Sequence, residues 1–444
     1  MNNLIYSLVK QKQYRKLQPL LQNMKVQDAA EFIEELDAKE AAPIFALFDK
    51  KTAAEVFSYL TLNQQLKLVD SLGYEETRLI LHELRLDDKV DVLEELPANV
   101  VKKILQNSAQ EDRALINRFL NYEVDTAGSI MTTEYLSIRA NLTVDDALAT
   151  IRKKGQDKET IYIIYVTDDT KKLIGVLSLR DIVTASRDDK ITDLMEKDVI
   201  FVYTDTDKEI VASEFSKYGY MAFPVVDGEQ RLTGIVTYDD IFDVIEEETT
   251  EDFHKMASMR PSDNTYLDES PVNLAKNRLF WLTILMLAGT FVGNIIELYN
   301  PLLSKCIILS AFIPMITGTS GNAGIQSATT AVRNLATGEI LFKDAAKVAF
   351  KEIKIGLIAG ATVGAVSMLK VIFIDGSKPI IGIVVFISMF LAIMFSNMLG
   401  GIIPIFSQKI GIDPAVMASS VLTTVMDAAS LFIFFNIASL VLKI

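Results

Sequence analysis

The stretch VLTTVMDAASLFIFF, residues 421–435, holds one carboxylate, Asp427, in an otherwise apolar or small-residue run. A carboxylate at bilayer depth costs about 2.5–3.5 kcal/mol on insertion scales, so it belongs in a bundle interior or on a watery path. Thr423 and Thr424 precede it by four and three residues and bring hydroxyls to its helical face. Ala418, Ser419 and Ser420 lie one to two turns earlier and permit close helix approach. The plainer alternative is a structural Asp hydrogen-bonded between packed helices.

Upstream, the chain carries several apolar runs of about 20 residues, long enough to span a bilayer. Five spans are predicted: 279–298, 302–330, 355–374, 380–406 and 415–440. Trp281 and Tyr299 sit near the two ends of the first, as interfacial aromatics do. With the N-terminus inside, the inner flanks hold eight basic residues (Lys276, Arg278, Arg333, Lys343, Lys347, Lys351, Lys354, Lys409) and the outer flanks four (Lys305, Lys370, Lys378, Lys443). That asymmetry predicts N-in and C-out.

The second span contains PMITGTSGNAGIQSATT, 314–330, with Gly318, Gly321 and Gly324 interleaved with Asn322, Gln326 and hydroxyls. Glycines alone would mean only close packing; the amides argue for backbone beside a polar path. Irregular backbone at this depth is tolerated only where it is buried or lines a cavity. A hard divalent cation takes six or more oxygens, so one Asp per chain is too few for a protein cage. Two chains about a two-fold would bring two copies of Asp427 to one still-hydrated ion. Asp413 precedes Pro414 and reads first as an N-cap, with attraction of ions at the cytoplasmic mouth as a secondary role. Glu297 reads as interfacial.

The preceding part of the chain has a different composition. Of 444 residues half are hydrophobic and 23% charged. Residues 1–270 carry 32 Lys/Arg against 51 Asp/Glu, and 271–444 carry 12 against 7. A strongly acidic soluble region repels nucleic acid and suits cations. Cys306 is the single cysteine and His82 and His254 the only histidines, which rules out an internal disulfide and argues against a soft-metal site. The opening MNNLIYSLVKQKQYRK lacks a long apolar run; no signal peptide is expected, and the N-terminal region is expected in the cytoplasm.

Residues 1–125 read as short amphipathic helices, stacked as a small superhelix. Residues 126–245 contain an internal repeat in which Gly175 pairs with Gly234 and Asp181 with Asp240, both offset by 59. Each copy reads helix–strand–helix–strand–strand–helix. The blocks GVLSLRDI and GIVTYDDI make this resemble a tandem pair of cystathionine-β-synthase (CBS) domains. Such modules often bind an adenosine nucleotide and are also often purely structural; here the first copy has Tyr165 where the second has Pro224. Residues 239–252, DDIFDVIEEETTED, then place eight acids in fourteen positions. On a helix Asp240, Asp243, Glu247 and Glu251 share a face, where like charges repel. That run is a solvated face or, alternatively, a Mg²⁺- or Ca²⁺-binding surface.

This order of parts, with GTSGNAGIQSATT, DPAV (413–416), TTVMD (423–427) and TYDDIFDVIEEETTEDFHK (237–255), resembles the MgtE family of magnesium channels and transporters over nearly the whole chain. The resemblance implies a homodimer in the plasma or inner membrane, a pore aspartate at Asp427 and a glycine–asparagine segment at 318–324. It implies cytoplasmic Mg²⁺-sensing acids at Glu55, Asp87, Asp91, Asp205, Asp240, Asp243, Glu248, Glu251 and Asp252. The expected fold is a multidomain membrane protein: an all-α helical N-domain (1–125), an α/β CBS-domain pair (126–245), an acidic connecting helix and linker (246–275) and a five-helix transmembrane pore domain (276–444). The expected function is passive Mg²⁺ entry, closed by cytoplasmic Mg²⁺ bridging the soluble parts, with Mg²⁺ as permeant ion and regulator and lipid as surroundings. The alternative is a nucleotide-regulated transporter of another divalent cation. An enzyme is not expected: there is no GxxxxGK[ST] motif and no convincing base beside Asp427.

Overall fold

In the computed structural model the chain divides into two units, Met1–Ile245 and Glu246–Ile444. The structure describes residues 2–72, 74–96, 98–107, 110–261, 266, 269–418 and 420–443.

The first unit opens with helices of eight to ten residues: α1 (Asn2–Lys10), α2 (Tyr14–Leu21), α3 (Val26–Glu34), α4 (Ala38–Phe45), α5 (Lys50–Ser58), α6 (Leu62–Ser71), α7 (Tyr74–Glu83), α8 (Leu86–Glu95), α9 (Ala98–Asn107) and α10 (Gln110–Phe119). Helices this short are marginal alone and are held by burying one face. Here α3 packs on α5 and α5 on α7, while α4 packs on α6, α6 on α8 and α8 on α10. Alternate helices therefore stack in rows, the superhelix expected from the spacing. Phe45, Phe57, Ile33 and Phe119 lie almost fully buried along it.

The repeat follows. Its first copy runs α11 (Ala127–Ile130), β1 (Ser137–Arg139), α12 (Val144–Lys154), β2 (Ile163–Thr167), β3 (Leu173–Ser178) and α13 (Leu179–Thr184). The second runs α14 (Ile191–Leu194), β4 (Val202–Tyr203), α15 (Lys208–Tyr218), β5 (Ala222–Val226), β6 (Leu232–Thr237) and α16 (Tyr238–Met256). In each sheet the first two strands are parallel and the last two antiparallel. The paired glycines have a packing reason: a β-carbon on Gly175 would meet Met195 Sδ at 2.5 Å, and one on Gly234 would meet Met131 Sδ at 2.6 Å. Met195 leads into the second copy and Met131 into the first. Each leader thus crosses the other copy's glycine strand, and the two copies interlock. The Asp181–Asp240 pair also has a structural role. Asp181 accepts from Ser178 N at 3.0 Å, and Asp240 from Thr237 N at 3.2 Å, so both cap the helix after the last strand.

In the second unit the long helices are α17 (Pro271–Leu298), α19 (Ile313–Ala336), α20 (Ala345–Leu369), α21 (Pro379–Lys409) and α23 (Ser420–Leu442), with short α18 (Asn300–Lys305) and α22 (Pro414–Met417). Among the described residues four segments are long and apolar enough to cross a membrane: Pro271–Leu298, Phe342–Ile374, Pro379–Lys409 and Pro414–Leu442. The span expected at 302–330 is not one of them. Its first residues form α18 and a 3₁₀ segment, Ile307–Phe312, and its glycines, hydroxyls and amides lower the hydropathy of α19. Nevertheless α19 is 24 residues long and packs against α21 and α23. Gly356, Gly360 and Gly364 bring α20 onto α21: their β-carbons would lie 2.6 Å from Met394 Cα, 2.8 Å from Phe390 O and 3.1 Å from Phe386. Such small-residue stripes let backbones approach where no hydrophobic force drives helices together.

Candidate ion-path site

Two helices supply the site predicted around Asp427. On α19, Gly321 and Gly324 are buried, whereas Gly318, Asn322 and Gln326, spaced by four, form an exposed stripe. On α23, Thr423, Thr424 and Asp427 are half-buried. A β-carbon on Gly321 would stand 3.1 Å from Thr423 Cγ2 and 3.5 Å from Asp427 Oδ1. One turn on, a β-carbon on Gly324 would stand 3.1 Å from Met426 Cε, while the Gly324 carbonyl crowds Gly400 of α21. The glycines therefore bring α19 backbone against the aspartate and against α21. Ser327 donates to Asn397 O at 2.8 Å, and Ser430 to Asp427 O at 2.9 Å. The local hydroxyls satisfy backbone and leave the Asp427 carboxylate without a hydrogen bond among the described residues. Ser419 lies outside them.

Asp413 does two things. Its Oδ1 accepts from Ala415 N at 2.8 Å, the N-cap expected before Pro414. Its Oδ2 lies 2.6 Å from Lys255 Nζ, which also stands 2.7 Å from Glu251. Asp252 adjoins them, its carboxyl pushed up to about 6 by burial first and by Asp413 next. Lys255 is held in its charged form by its two carboxylates despite burial. Near this cluster Met256 packs against the group formed by Ala415, Ala418, Leu422 and Met426. Ser258 accepts from Ser420 N at 3.3 Å. The end of α16 is thus seated on the start of the last span, two turns from Asp427. Sequence reasoning put Glu251 and Asp252 among the sensing acids and Asp413 at the ion path. It missed Lys255, whose only signal was its i,i+4 spacing from Glu251.

The other predicted sensing acids are spread along the first unit. Glu55 is exposed on α5, 3.9 Å from Lys51, and Asp205 is exposed after β4. Asp240 caps α16, Asp243 is exposed, and Glu248 on the same helix is half-buried. The side chains of Asp87 and Asp91, on α8, lie outside the described residues. Among the described residues no three His, Cys, Asp or Glu are grouped so as to hold a metal ion.

Comparison with known proteins places these parts together. The family MgtE, described as a divalent cation transporter, matches residues 313–437, the MgtE intracellular N domain matches 7–125, and the CBS domain matches 127–188 and 191–247. The magnesium transporter MgtE of Thermus thermophilus is 39% identical over 331 residues, 74% of this chain and 73% of that protein. The chain belongs to the MgtE transporter family. MgtE of Bacillus subtilis is 32% identical over 432 residues, 95% of each chain. A crystal structure titled as the cytosolic domain of the Mg²⁺ channel MgtE in complex with ATP is 37% identical with a TM-score of 0.52, covering 54% of this chain and 98% of that one. MgtE proteins are transporters or channels rather than enzymes, and the apolar helices make this member a membrane protein.

Proposed function

We propose that this chain is a Mg²⁺ channel that admits the ion to the cytoplasm down its electrochemical gradient and is closed by cytoplasmic Mg²⁺. The observation that carries the reading is the placement of Asp427 against the Gly321 backbone, with the polar stripe Gly318–Asn322–Gln326 exposed beside it. In this reading α19 is the fifth membrane span, the N-terminus is cytoplasmic, and a homodimer brings two Asp427 carboxylates to one hydrated ion. Two carboxylates balance a divalent charge without stripping its water, and weak, water-mediated binding lets the ion leave. A membrane potential of 100 mV supplies about 2.3 kcal/mol per charge, twice that for Mg²⁺, so no nucleotide hydrolysis is needed.

Gating follows from charge. The domains divide at 1–125, 126–245, 246–275 and 276–444 in this reading. Mg²⁺ would bridge Glu55, Asp87, Asp91 and Asp205 with the connector acids Asp240, Asp243, Glu248, Glu251 and Asp252. The fit is by donor type: these are hard carboxylate oxygens, the ligands Mg²⁺ takes. Without the ion, the acids repel. The seat of Met256 and Ser258 on the start of α23 supports transmission to the pore. An adenosine nucleotide at the CBS pair is the secondary regulator, as the ATP in the related cytosolic structure suggests.

Uptake of Mg²⁺ by the Asp427→Asn variant is the test. The variant should assemble as the parent does and pass no Mg²⁺; parental flux would remove Asp427 from the path. Flux of another divalent ion that follows nucleotide and ignores Mg²⁺ would favour the alternative transporter.

A further inference from the structure

A cavity of about 370 Å³ that the reading above does not use lies on the first CBS copy, bordered by Leu232 of β6 in the second. It opens where β1 and β2 end, lined by Arg139, Lys154 and Lys171, with Ser137, Thr150 and Thr167 beside them; the Thr150 hydroxyl donates to Asp146 O at 2.9 Å. Tyr135, Ile138, Leu142 and Leu232 supply an apolar wall. Three cations converge here although residues 1–270 are strongly acidic in sum. Arg139 Nη1 is buried and makes no hydrogen bond among the described residues. Its nearest acid, Asp169, stands 3.9 Å away with a fully exposed side chain, too far for a hydrogen bond. Lys171 is held at a left-handed φ of 67° in the hairpin between β2 and β3, which fixes where its side chain starts.

This cavity is not at the Ser178–Asp181 turn. The register sets Ile163 opposite Ser178 and Arg139 beside Thr167. The two places are therefore at opposite ends of the same strands, roughly 13 Å apart at the rise of a β-strand.

A cavity of this size holds a small ligand with a few polar groups fixing its orientation. Arg and Lys with hydroxyls match a dianionic phosphate, whose oxygens accept several charge-assisted hydrogen bonds. The apolar wall asks for carbon as well as charge. We propose that this cavity binds a small phosphate monoester, the phosphate held by Arg139, Lys154 and Lys171 and the organic part lying against Tyr135 and Leu232.

Isothermal titration of the full-length chain in lipid nanodiscs with ribose 5-phosphate, inorganic phosphate and ribose tests this. Ribose 5-phosphate should bind once per chain and more tightly than inorganic phosphate, and ribose should give no heat. Lys154→Gln with Lys171→Gln, both exposed at the rim, should weaken binding about tenfold or more, the scale of a lost charge-assisted bond. Asp181→Asn, at the opposite strand ends, should leave it unchanged. Absence of binding at millimolar ribose 5-phosphate, unaltered affinity in the double variant, or loss in Asp181→Asn would overturn the proposal. Equal affinity for inorganic phosphate would make the free ion the occupant and overturn the monoester.

Discussion

Gly321 and Asp427 face each other across two helices: a β-carbon on the glycine would lie 3.5 Å from the carboxylate and 3.1 Å from Thr423. Backbone of α19 thus runs beside the one acid inside the last span. Gly321→Ala should gain helix propensity, about 0.8–1.0 kcal/mol, yet push on Thr423 and the carboxylate. The expected outcome is Mg²⁺ uptake reduced about tenfold, equivalent to about 1.4 kcal/mol on the barrier, with little change in Tm. Gly293→Ala, at a glycine of α17 with open space around it, is the comparison. Equal uptake in both variants would separate Gly321 from the path.

Lys255 bridges Glu251 and Asp413 and so ties the connector to the mouth of the last span. Its ammonium is the positive charge set against these acids. Lys255→Gln leaves Glu251, Asp252 and Asp413 together without a cation, and removing one partner of a half-buried pair leaves a desolvated charge. In EDTA the Tm should fall, at roughly 2–4 °C per kcal/mol lost, and millimolar Mg²⁺ should restore it more than in the parent. In patch-clamp recordings the midpoint for closure should move to lower Mg²⁺. A variant whose Tm and midpoint match the parent would show that the bridge plays no part in gating.

The sequence made the parts legible and left their contacts hidden, for physical reasons. Helical periodicity exposes the amphipathic faces of α1–α10, and the 59-residue offset shows the CBS copies, because both patterns are local. Asp427 stood out because water-seeking chemistry is costly in apolar surroundings. The glycines, hydroxyls and amides that drew the sequence reading to α19 are the same residues that lower its hydropathy. Lys255–Asp413, by contrast, joins positions 158 apart, and no local pattern reports a pairing of that range. Arg139, Lys154 and Lys171 each look like solvated charge until β1, β2 and α12 converge. Asp240 shows the reverse case: it reads as part of a metal-binding face, and the structure also gives it the capping role that Asp181 has in the other copy.

Arg85, at the start of α8, forms an ion pair with Glu159 of the first CBS copy. The glutamate side chain is only 10% exposed, so the guanidinium compensates a mostly buried charge and links the N-terminal superhelix to the repeat. Arg85→Gln should weaken that link by about 1.5–3 kcal/mol, the scale of a hydrogen bond to a charged group. Limited proteolysis without Mg²⁺ should then release residues 1–125 faster than in the parent. The same cleavage rate in both would mean that the link rests on apolar packing alone.

Both CBS hairpins turn on an aspartate at the same offset, and their pH response has a definite sign. Asp168 accepts from the Thr170 hydroxyl at 2.7 Å and from the N–H groups of Thr170 and Lys172, which hold its carboxyl below the usual range. For Asp227 burial acts upward, but the N–H and guanidinium of Arg231 and the N–H of Glu229 outweigh it, and the net direction is again down. A depressed folded-state pKa gives stability that is complete above the unfolded value, about 3.9, and is lost as pH falls through the folded one. Thermal melts of the full chain without Mg²⁺ should therefore drop on the acid side, below about pH 4, by an amount that Asp168→Asn and Asp227→Asn together reduce. At pH 7 the double variant should melt lower than the parent, and toward pH 3 the two curves should converge. Parallel curves, offset equally at pH 7 and pH 3, would show that the turns are held by their backbone geometry and not by the ionised carboxylates.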